Sequence, residues 1–453
     1  MLSQVENELL CKTGPGTPMG ELMRQYWIPA LLSSELPEPD CSPVRVKLLS
    51  EELVAFRDTA GVVGLIDNAC PHRRASLFFG RNEECGLRCV YHGWKFDING
   101  NCVDMPSEPA ESNFKDKVKI KAYSVQERGG ILWTYMGPRQ EPPPLPELEA
   151  NMLPEQQSSV WCSMRECNWL QALEGDVDTG HIGFLHMGTR SPGDFPEGSF
   201  QYYSVKSRAP EGYEVRDTEY GVSYGAWRPT EEGARYWRVA HFLFPFYAMI
   251  PGGVLGKGIQ ARAWVPIDDT HSMLWHMMEP GNVVQHEVGD PRNDYGSEAN
   301  LVPWVPIEFV GINFKPNTSE WLGRWRLEVD GSTDYGINRE AQKTKQSWTG
   351  IEGVHIEDQA VMESMGPITD REHEHLGASD QMVIRTRSSL INTARAFQEG
   401  VTPPGVDNPE VYGVRSGGVF LPGDANWWEA TKELRKAFVE HPEMEGMGQG
   451  KTA

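Results

Sequence analysis

Two cysteine–histidine pairs constrain this chain more than any other feature. Cys70-Pro71-His72 is followed, seventeen positions after its histidine, by Cys89-Val90-Tyr91-His92. In an extended segment residues i and i+2 point to the same side, so Cys70 and His72 can face one target. Cys89 and His92 can do the same from a second loop, and the fold must then bring the two loops together. Two thiolates and two imidazoles suit either a two-iron cluster or one tetrahedral zinc. The spacing alone leaves both open.

The rest of the composition narrows the setting. At 453 residues the chain is too long for one small core, and two domains are expected. The formal charge of −22 argues against a nucleic-acid partner or an anionic membrane surface. No basic flank precedes an apolar stretch at the N-terminus, and no apolar run approaches the length of a membrane span. No membrane association is therefore expected. Eight cysteines in a chain of this length do not make a disulfide scaffold, so a reducing, cytoplasmic location is the simplest expectation.

The pattern along the chain divides near residue 140. Ser3 with Glu6 reads as a capping box, and Thr17 before Pro18 as a helix start. From Val44 the period shortens to β-type runs at 44–49, 53–57, 62–66, 120–125 and 131–135, with a hairpin signal at Asn99-Gly100. Residues 1–140 are thus expected to hold two short helices and a small all-β unit. The run Pro142-Pro143-Pro144-Leu145-Pro146 is a stiff connector. Residues 141–453 mix the two types. Segments 168–185, 355–365, 381–398 and 427–439 read as helices, and 200–206, 223–227, 236–244, 259–264 and 273–278 as strands. Residues 283–352 are polar with little periodicity, a candidate lid or subunit contact.

A second constellation lies at Asp178-Thr179-Gly180-His181, with His186 five positions on. Two imidazoles and a carboxylate suit Fe(II) with positions left open for oxygen. On a regular helix a spacing of five turns the side chains about 140° apart, so both histidines cannot face one metal from it. Gly180 and Gly183 permit the needed kink or helix end. The alternative is three polar residues on a helix surface.

The residues around the ligands carry a resemblance. Cys-Pro-His-Arg and Cys-Val-Tyr-His-Gly-Trp-Lys-Phe resemble the two cluster loops of Rieske domains, with Tyr91 placed to hydrogen-bond near a cluster sulfur. Asp-x2-His-x4-His downstream of such a domain resembles the terminal oxygenase component of Rieske non-haem iron oxygenases. Segments such as Gly-Thr-Pro-Met-Gly-Glu-Leu and Asn168-Trp169-Leu170-Gln171 are similar to its phthalate dioxygenase branch. The resemblance implies an α+β fold: an all-β Rieske domain, then a catalytic domain whose antiparallel sheet is covered by helices in a helix grip. It implies Cys70, His72, Cys89 and His92 as ligands of a [2Fe–2S] cluster, and His181 and His186 as ligands of a mononuclear Fe(II). Asp178 becomes the catalytic bridge that carries the electron between a neighbouring subunit's cluster and the iron. The third ligand is then a downstream carboxylate: Asp358, with Glu357 and Asp370 as competitors. Glu174 departs from naphthalene-type relatives, which carry Asn there.

The same resemblance implies the partners. A separate flavin and iron–sulfur reductase would bring electrons from NAD(P)H, O2 would be the co-substrate, and a ring of subunits, trimer or hexamer, would be needed. Aromatic-ring hydroxylation and oxidative O-demethylation are the competing outcomes, and a non-catalytic Rieske electron carrier the remaining class. An aromatic acid needs local positive charge in so acidic a chain. Arg208 is the first candidate, then Arg235 or Arg238. Between positions 73 and 95, Arg73, Arg74, Arg81, Arg88 and Lys95 outnumber Glu83 and Glu84, a basic collar suited to an acidic electron donor.

Overall fold

The computed structural model describes residues 2–109, 111–195, 197, 199–230, 233–279 and 312–444. Its frame is three antiparallel sheets. The first runs in the order Trp27–Leu32, Ile131–Tyr135, Ala122–Arg128, Val63–Asp67, Glu51–Arg57, Val44–Leu48. Trp27–Leu32 was not expected from the sequence. All six of its residues are buried, so it lacks the alternation that marks a half-exposed strand. Pro29 is tolerated because the strand pairs on one side only and bulges between Pro29 and Leu31.

A small four-stranded ladder, Arg81–Asn82, Leu87–Arg88, Lys95–Phe96 and Cys102–Asp104, packs beside it around Phe56, Leu77, Leu87, Trp94 and Phe96. The turn at Asn99-Gly100 joins its last two strands, with Gly100 at φ +77°. A Cβ there would lie 2.2 Å from the Ile120 carbonyl, so only glycine fits.

The large sheet orders Ser159–Arg165, His271–Met278, Gln260–Asp268, Tyr247–Met249, Ala234–Leu243, Gly221–Pro229 and Gly212–Thr218, with Gly417–Pro422 added against Ala234–Leu243. Helix Trp169–Val177 crosses its middle strands, Val354–Ser364 lies against that helix, and Gln381–Gln398 packs on Gly221–Pro229. An antiparallel sheet gripped by helices, joined to an all-β unit, is the α+β architecture the resemblance implied. Its core is aromatic: Trp161, Trp169, Trp237, Trp264, Trp275 and Trp427 are all essentially buried. Burial of each stabilises the fold by about 1.5–3 kcal/mol or more.

Three elements differ from the periodicity. Phe200–Lys206 is a helix, capped by Ser199 accepting from the Tyr202 N–H. Its β-prone Phe-Gln-Tyr-Tyr-Ser-Val run is overridden by packing, with Tyr203 stacked on Tyr236 at 5.9 Å. Segment 427–439 is helical only over Trp427–Ala430. Segment 168–185 stops being helical at Val177.

The expected helices Gln4–Cys11 and Pro18–Met23 form with their caps. They pack on the second unit: the Trp169 indole donates to the Leu10 carbonyl at 3.2 Å and Asn168 to the Cys11 carbonyl at 2.9 Å. Of the polar region 283–352, residues 283–311 lie outside the described residues. The remainder joins the two units, with the Met164 N–H donating to the Trp325 carbonyl and Arg324 paired with Glu35. Among the described residues no helix is long and apolar enough to cross a membrane.

Candidate metal centres

The two cysteine–histidine loops are built alike. Cys70–Ala75 is closed by the bridge between Ala69 and Ser76, and Cys89–Trp94 by the pair Arg88 and Lys95. In each, the cysteine N–H donates to the carbonyl five residues on: Cys70 to Ala75 at 2.9 Å, Cys89 to Trp94 at 2.8 Å. In each, the residue four on donates back to the cysteine carbonyl, Arg74 at 2.8 Å and Gly93 at 2.9 Å. Both of those residues take positive φ, +63° and +79°. Two like loops from adjacent hairpins place their ligands face to face.

Cys70 and Cys89 are 1% and 2% exposed and hydrogen-bonded neighbours. The His72 and His92 rings lie 4.4 Å apart, and His72 stacks on Trp94 at 4.5 Å. Sulfur lies inside and imidazole outside, the division required by a two-iron cluster in which two cysteines hold one iron and two histidines the other. Burial pushes the Cys70 thiol up to about 11, against the His72 N–H aimed at its sulfur. A thiolate there needs cationic compensation, which cluster iron supplies.

The side chains around these loops are mostly paired. Tyr91 is 54% exposed, and its hydroxyl accepts from Arg73 at 3.1 Å. The basic collar is mostly neutralised: Arg81 and Arg88 pair with Glu83, Arg88 also with Asp104, and Lys95 with Glu84. Among the described residues, Arg73 and Arg74 are the members of that set that meet no carboxylate.

The second centre forms where a helix ends. Asp178 follows Val177 and accepts from the N–H groups of Gly180 at 2.7 Å and His181 at 3.1 Å. That side-chain competition replaces the next helical turn. A short 3-10 turn over His181–Gly183 follows, and its departure from α geometry lets histidines five apart converge. Gly183 is required by a close approach, since a Cβ would sit 2.1 Å from the Arg208 carbonyl.

Helix Val354–Ser364 brings the carboxylates. His181 Nε2 lies 3.9 Å and His186 Nε2 3.2 Å from Asp358 Oδ1. The ligand atoms of all three residues lie within 4.8 Å of one another. Each histidine is held from behind: His181 Nδ1 to Asp178 Oδ2 at 3.1 Å, His186 Nδ1 to Glu357 Oε2 at 2.7 Å. Thr349 donates to the other Glu357 oxygen at 2.6 Å. With Nδ1–H given to a carboxylate, each Nε2 presents its lone pair to the centre. Burial opposes a charged His186, but Asp358 and Glu357 outweigh it and hold its pKa up to about 10, so its Nε2 lone pair carries a proton until a metal ion displaces it. The site therefore favours a cation at the convergence point. Two His and one carboxylate fit a divalent iron with open positions.

The competitors to Asp358 are placed elsewhere. Glu357, adjacent on the helix, points at the far side of His186, and Asp370 is exposed and paired with His373. Neither role for Glu357 was distinguishable in the dipeptide Glu357-Asp358. Glu174 is part-buried in an ion network, accepting from Arg371 at 2.9 Å and Arg387 at 2.6 Å. It anchors the helix that ends at Asp178.

The arginine candidates also separate. Arg208 donates to the carbonyls of Gly183, Met187 and Arg190 at 2.6–3.0 Å, a strap across the histidine segment rather than a free cation. Arg235 lies over the Trp227 ring at 4.0 Å. Arg238 is buried and donates to the Thr179 hydroxyl at 2.7 Å. Arg228, which the sequence reading passed over, is fully buried in the same sheet.

Comparison with known proteins bears on the same segments. Residues 26–124 match the family model described as Rieske [2Fe-2S] domain, and residues 134–289 and 324–450 that described as LigXa C-terminal domain like. The chain is 45% identical over 431 residues to the 3-chlorobenzoate-3,4-dioxygenase oxygenase subunit of Comamonas testosteroni, covering 95% of this chain and 98% of that one. It is 39% identical to the phthalate 4,5-dioxygenase oxygenase subunit of Pseudomonas putida, with 88% of each covered. It is 32% identical to the 5,5'-dehydrodivanillate O-demethylase oxygenase subunit of a Sphingobium strain, covering 90% and 84%. Among solved structures, dicamba monooxygenase bound to dicamba superposes with TM-score 0.53 at 16% identity, covering 84% of this chain and 99% of that one. At that identity the likeness concerns the fold alone.

Proposed function

The chain belongs to the Rieske oxygenase family as a terminal oxygenase subunit, and from that premise we propose that it hydroxylates the ring of an aromatic carboxylate in the manner of phthalate dioxygenase. The observation that carries catalysis is the convergence of His181, His186 and Asp358, each histidine held by its own carboxylate. A bare electron carrier has no use for such a site. The aromatic acid is supported by the 3-chlorobenzoate and phthalate named for the relatives at 45% and 39% identity. Oxidative O-demethylation is the second reading, favoured by the relative at 32%.

Each residue has a defined task in this reading. Residues 1–140 and 141–453 are the two functional units, although the N-terminal helices pack on the second. Cys70, Cys89, His72 and His92 hold the [2Fe–2S] cluster; His181, His186 and Asp358 hold Fe(II). When bound, these groups supply one-electron delivery and O2 activation. Asp178 and Glu357 fix the ring orientation and tautomer of His181 and His186, and Thr349 fixes Glu357. Asp178 is exposed enough (26%) to accept a hydrogen bond from a neighbouring chain's cluster histidine, which makes a ring, most simply a trimer, the working assembly. A separate reductase fed by NAD(P)H docks near the exposed loop tips.

Metal and sulfide analysis tests the reading. Three irons and two labile sulfides per chain are expected; zinc without sulfide overturns it. A screen of aromatic acids with a surrogate reductase, scored by product mass and labelled-oxygen incorporation, separates ring hydroxylation from demethylation.

A further inference from the structure

The inner face of the large sheet carries a buried cation that the site as described leaves unused. Cross-strand registers set Tyr213 opposite Ala226, Ala226 opposite Arg238, Arg228 opposite Tyr236 and Tyr224 opposite Ala240. Partners across strands share a face, and within Gly221–Pro229 the residues Tyr224, Ala226 and Arg228 alternate onto it. These side chains therefore form one patch. Arg238 ties it to Thr179, directly after Asp178 and two residues before His181. The Tyr213 hydroxyl sits 3.8 Å from where a Cβ on Gly180 would lie.

Arg228 is 0% exposed. Its Nε donates to the Ser207 carbonyl at 2.8 Å, while Nη1 and Nη2 meet no acceptor among the described residues. The Tyr213 hydroxyl is likewise buried without a hydrogen-bond partner among the described residues, and the Tyr224 hydroxyl is buried beside Thr179. No carboxylate pairs with Arg228 among the described residues, and its charged neighbour is a second cation, Arg238. Burial, reinforced by Arg238, brings Arg228 down to about 10, so it stays protonated at neutral pH. An unpaired buried guanidinium with two free N–H arms is costly, and a planar carboxylate matches those arms in geometry and charge.

We infer that Arg228, flanked by the Tyr213 and Tyr224 hydroxyls, seats the carboxylate of the aromatic substrate. The inference rests on the aromatic-acid reading above and names the residues that would enforce it. An acid held here is anchored beside the turn that carries His181, and a neutral analogue leaves the fork unpaired.

The test is calorimetric titration of the assembled, iron-loaded enzyme with benzoate and 3-chlorobenzoate, each against its amide. The wild type should bind the acids more tightly. Arg228→Gln should weaken acid binding about 10–100-fold and leave the amides nearly unchanged. Arg228→Lys should recover part of the loss, and Tyr213→Phe should cost a few-fold. Unchanged acid binding in a normally melting Arg228→Gln protein overturns the inference, as does equal loss of acid and amide. If Arg228→Gln fails to fold, Tyr213→Phe decides: no selective loss of acid overturns it. A wild type that does not prefer acid to amide removes the aromatic-acid reading and this inference with it. A wild type that prefers acids while the variants match it removes the inference alone.

Discussion

The two candidate metal centres are assembled on opposite principles. The cysteine–histidine centre is local: its four proposed ligands come from residues 70–92, on two loops shaped by their own backbone hydrogen bonds. Its imidazoles stand toward the surface, His72 braced by a stacked Trp94 rather than by a carboxylate. The His181–His186–Asp358 centre is non-local. Its carboxylate arrives from another helix, and both histidines are fixed from behind by acidic side chains. One centre is held by main chain, the other by side-chain charge. Substitutions should therefore damage them in different ways.

The sharpest way to break the comparison is to remove a ligand from each. Asp358→Ala should abolish oxygen consumption, reduce iron from three to two per chain and leave the cluster's visible spectrum intact. Cys89→Ser should remove the other two irons with the sulfide, and should destabilise the small ladder whose core includes Cys70 and Cys89. Loss of cluster absorbance in Asp358→Ala would show that the two centres do not form independently.

The next effect is smaller and concerns the bracing carboxylates. Glu357→Gln should weaken iron retention about 10–100-fold, since the amide no longer fixes the His186 tautomer. Asp178→Asn should keep both metals bound and lower turnover by at least a similar factor; full activity in that variant would remove its bridging role. Iron analysis beside single-turnover kinetics separates the two.

This contrast also explains what was legible in the sequence. Cys70, His72, Cys89 and His92 could be read because ligands and loop residues sit within one short window. His181 and His186 could be read as a pair only with a helix end between them, which Gly180 and Gly183 signalled. The choice between Glu357 and Asp358 could not be made locally, because adjacent helix positions differ only in what they face 170 residues away. Arg208 looked like a free cation because its three carbonyl partners carry no sequence signal. The strand Trp27–Leu32 was misjudged because full burial erases the periodicity that local reading relies on, and helix Phe200–Lys206 because packing overrides its β-prone residues.

Acid lability should sharpen the contrast further. The second unit buries neutral histidines, and His241 is the clearest. It accepts from Ser223 at Nδ1 and donates from Nε2 to the Arg415 carbonyl at 3.0 Å. Burial pulls its pKa down to about 3. Unfolded, the ring takes a proton near 6.5, so between 6.5 and 3 the unfolded chain binds more protons and stability falls as pH falls. One such group costs about 1.4 kcal/mol per pH unit in that window, roughly 2 kcal/mol by pH 5. His241→Gln should flatten that slope in urea melts of the second unit; an unchanged slope would show that the ring is not kept neutral.

The smallest effect belongs to the loop tips. Arg73 and Arg74 are exposed and meet no carboxylate among the described residues, whereas Arg81, Arg88 and Lys95 are paired. Replacing Arg73 and Arg74 by Ala should change stability by no more than about 0.5 kcal/mol, because exposed groups contribute little. Any consequence should appear in association with the reductase: a higher KM for the donor and a weaker dependence on ionic strength, with kcat at saturating donor unchanged. The paired arginines offer the control, since Arg88→Ala should destabilise the ladder by leaving Asp104 unpaired and Glu83 with Arg81 alone, while leaving the salt dependence of donor binding intact. If both substitutions alter the salt dependence equally, the collar acts as a single field, and the ion pairs seen within it do not neutralise it.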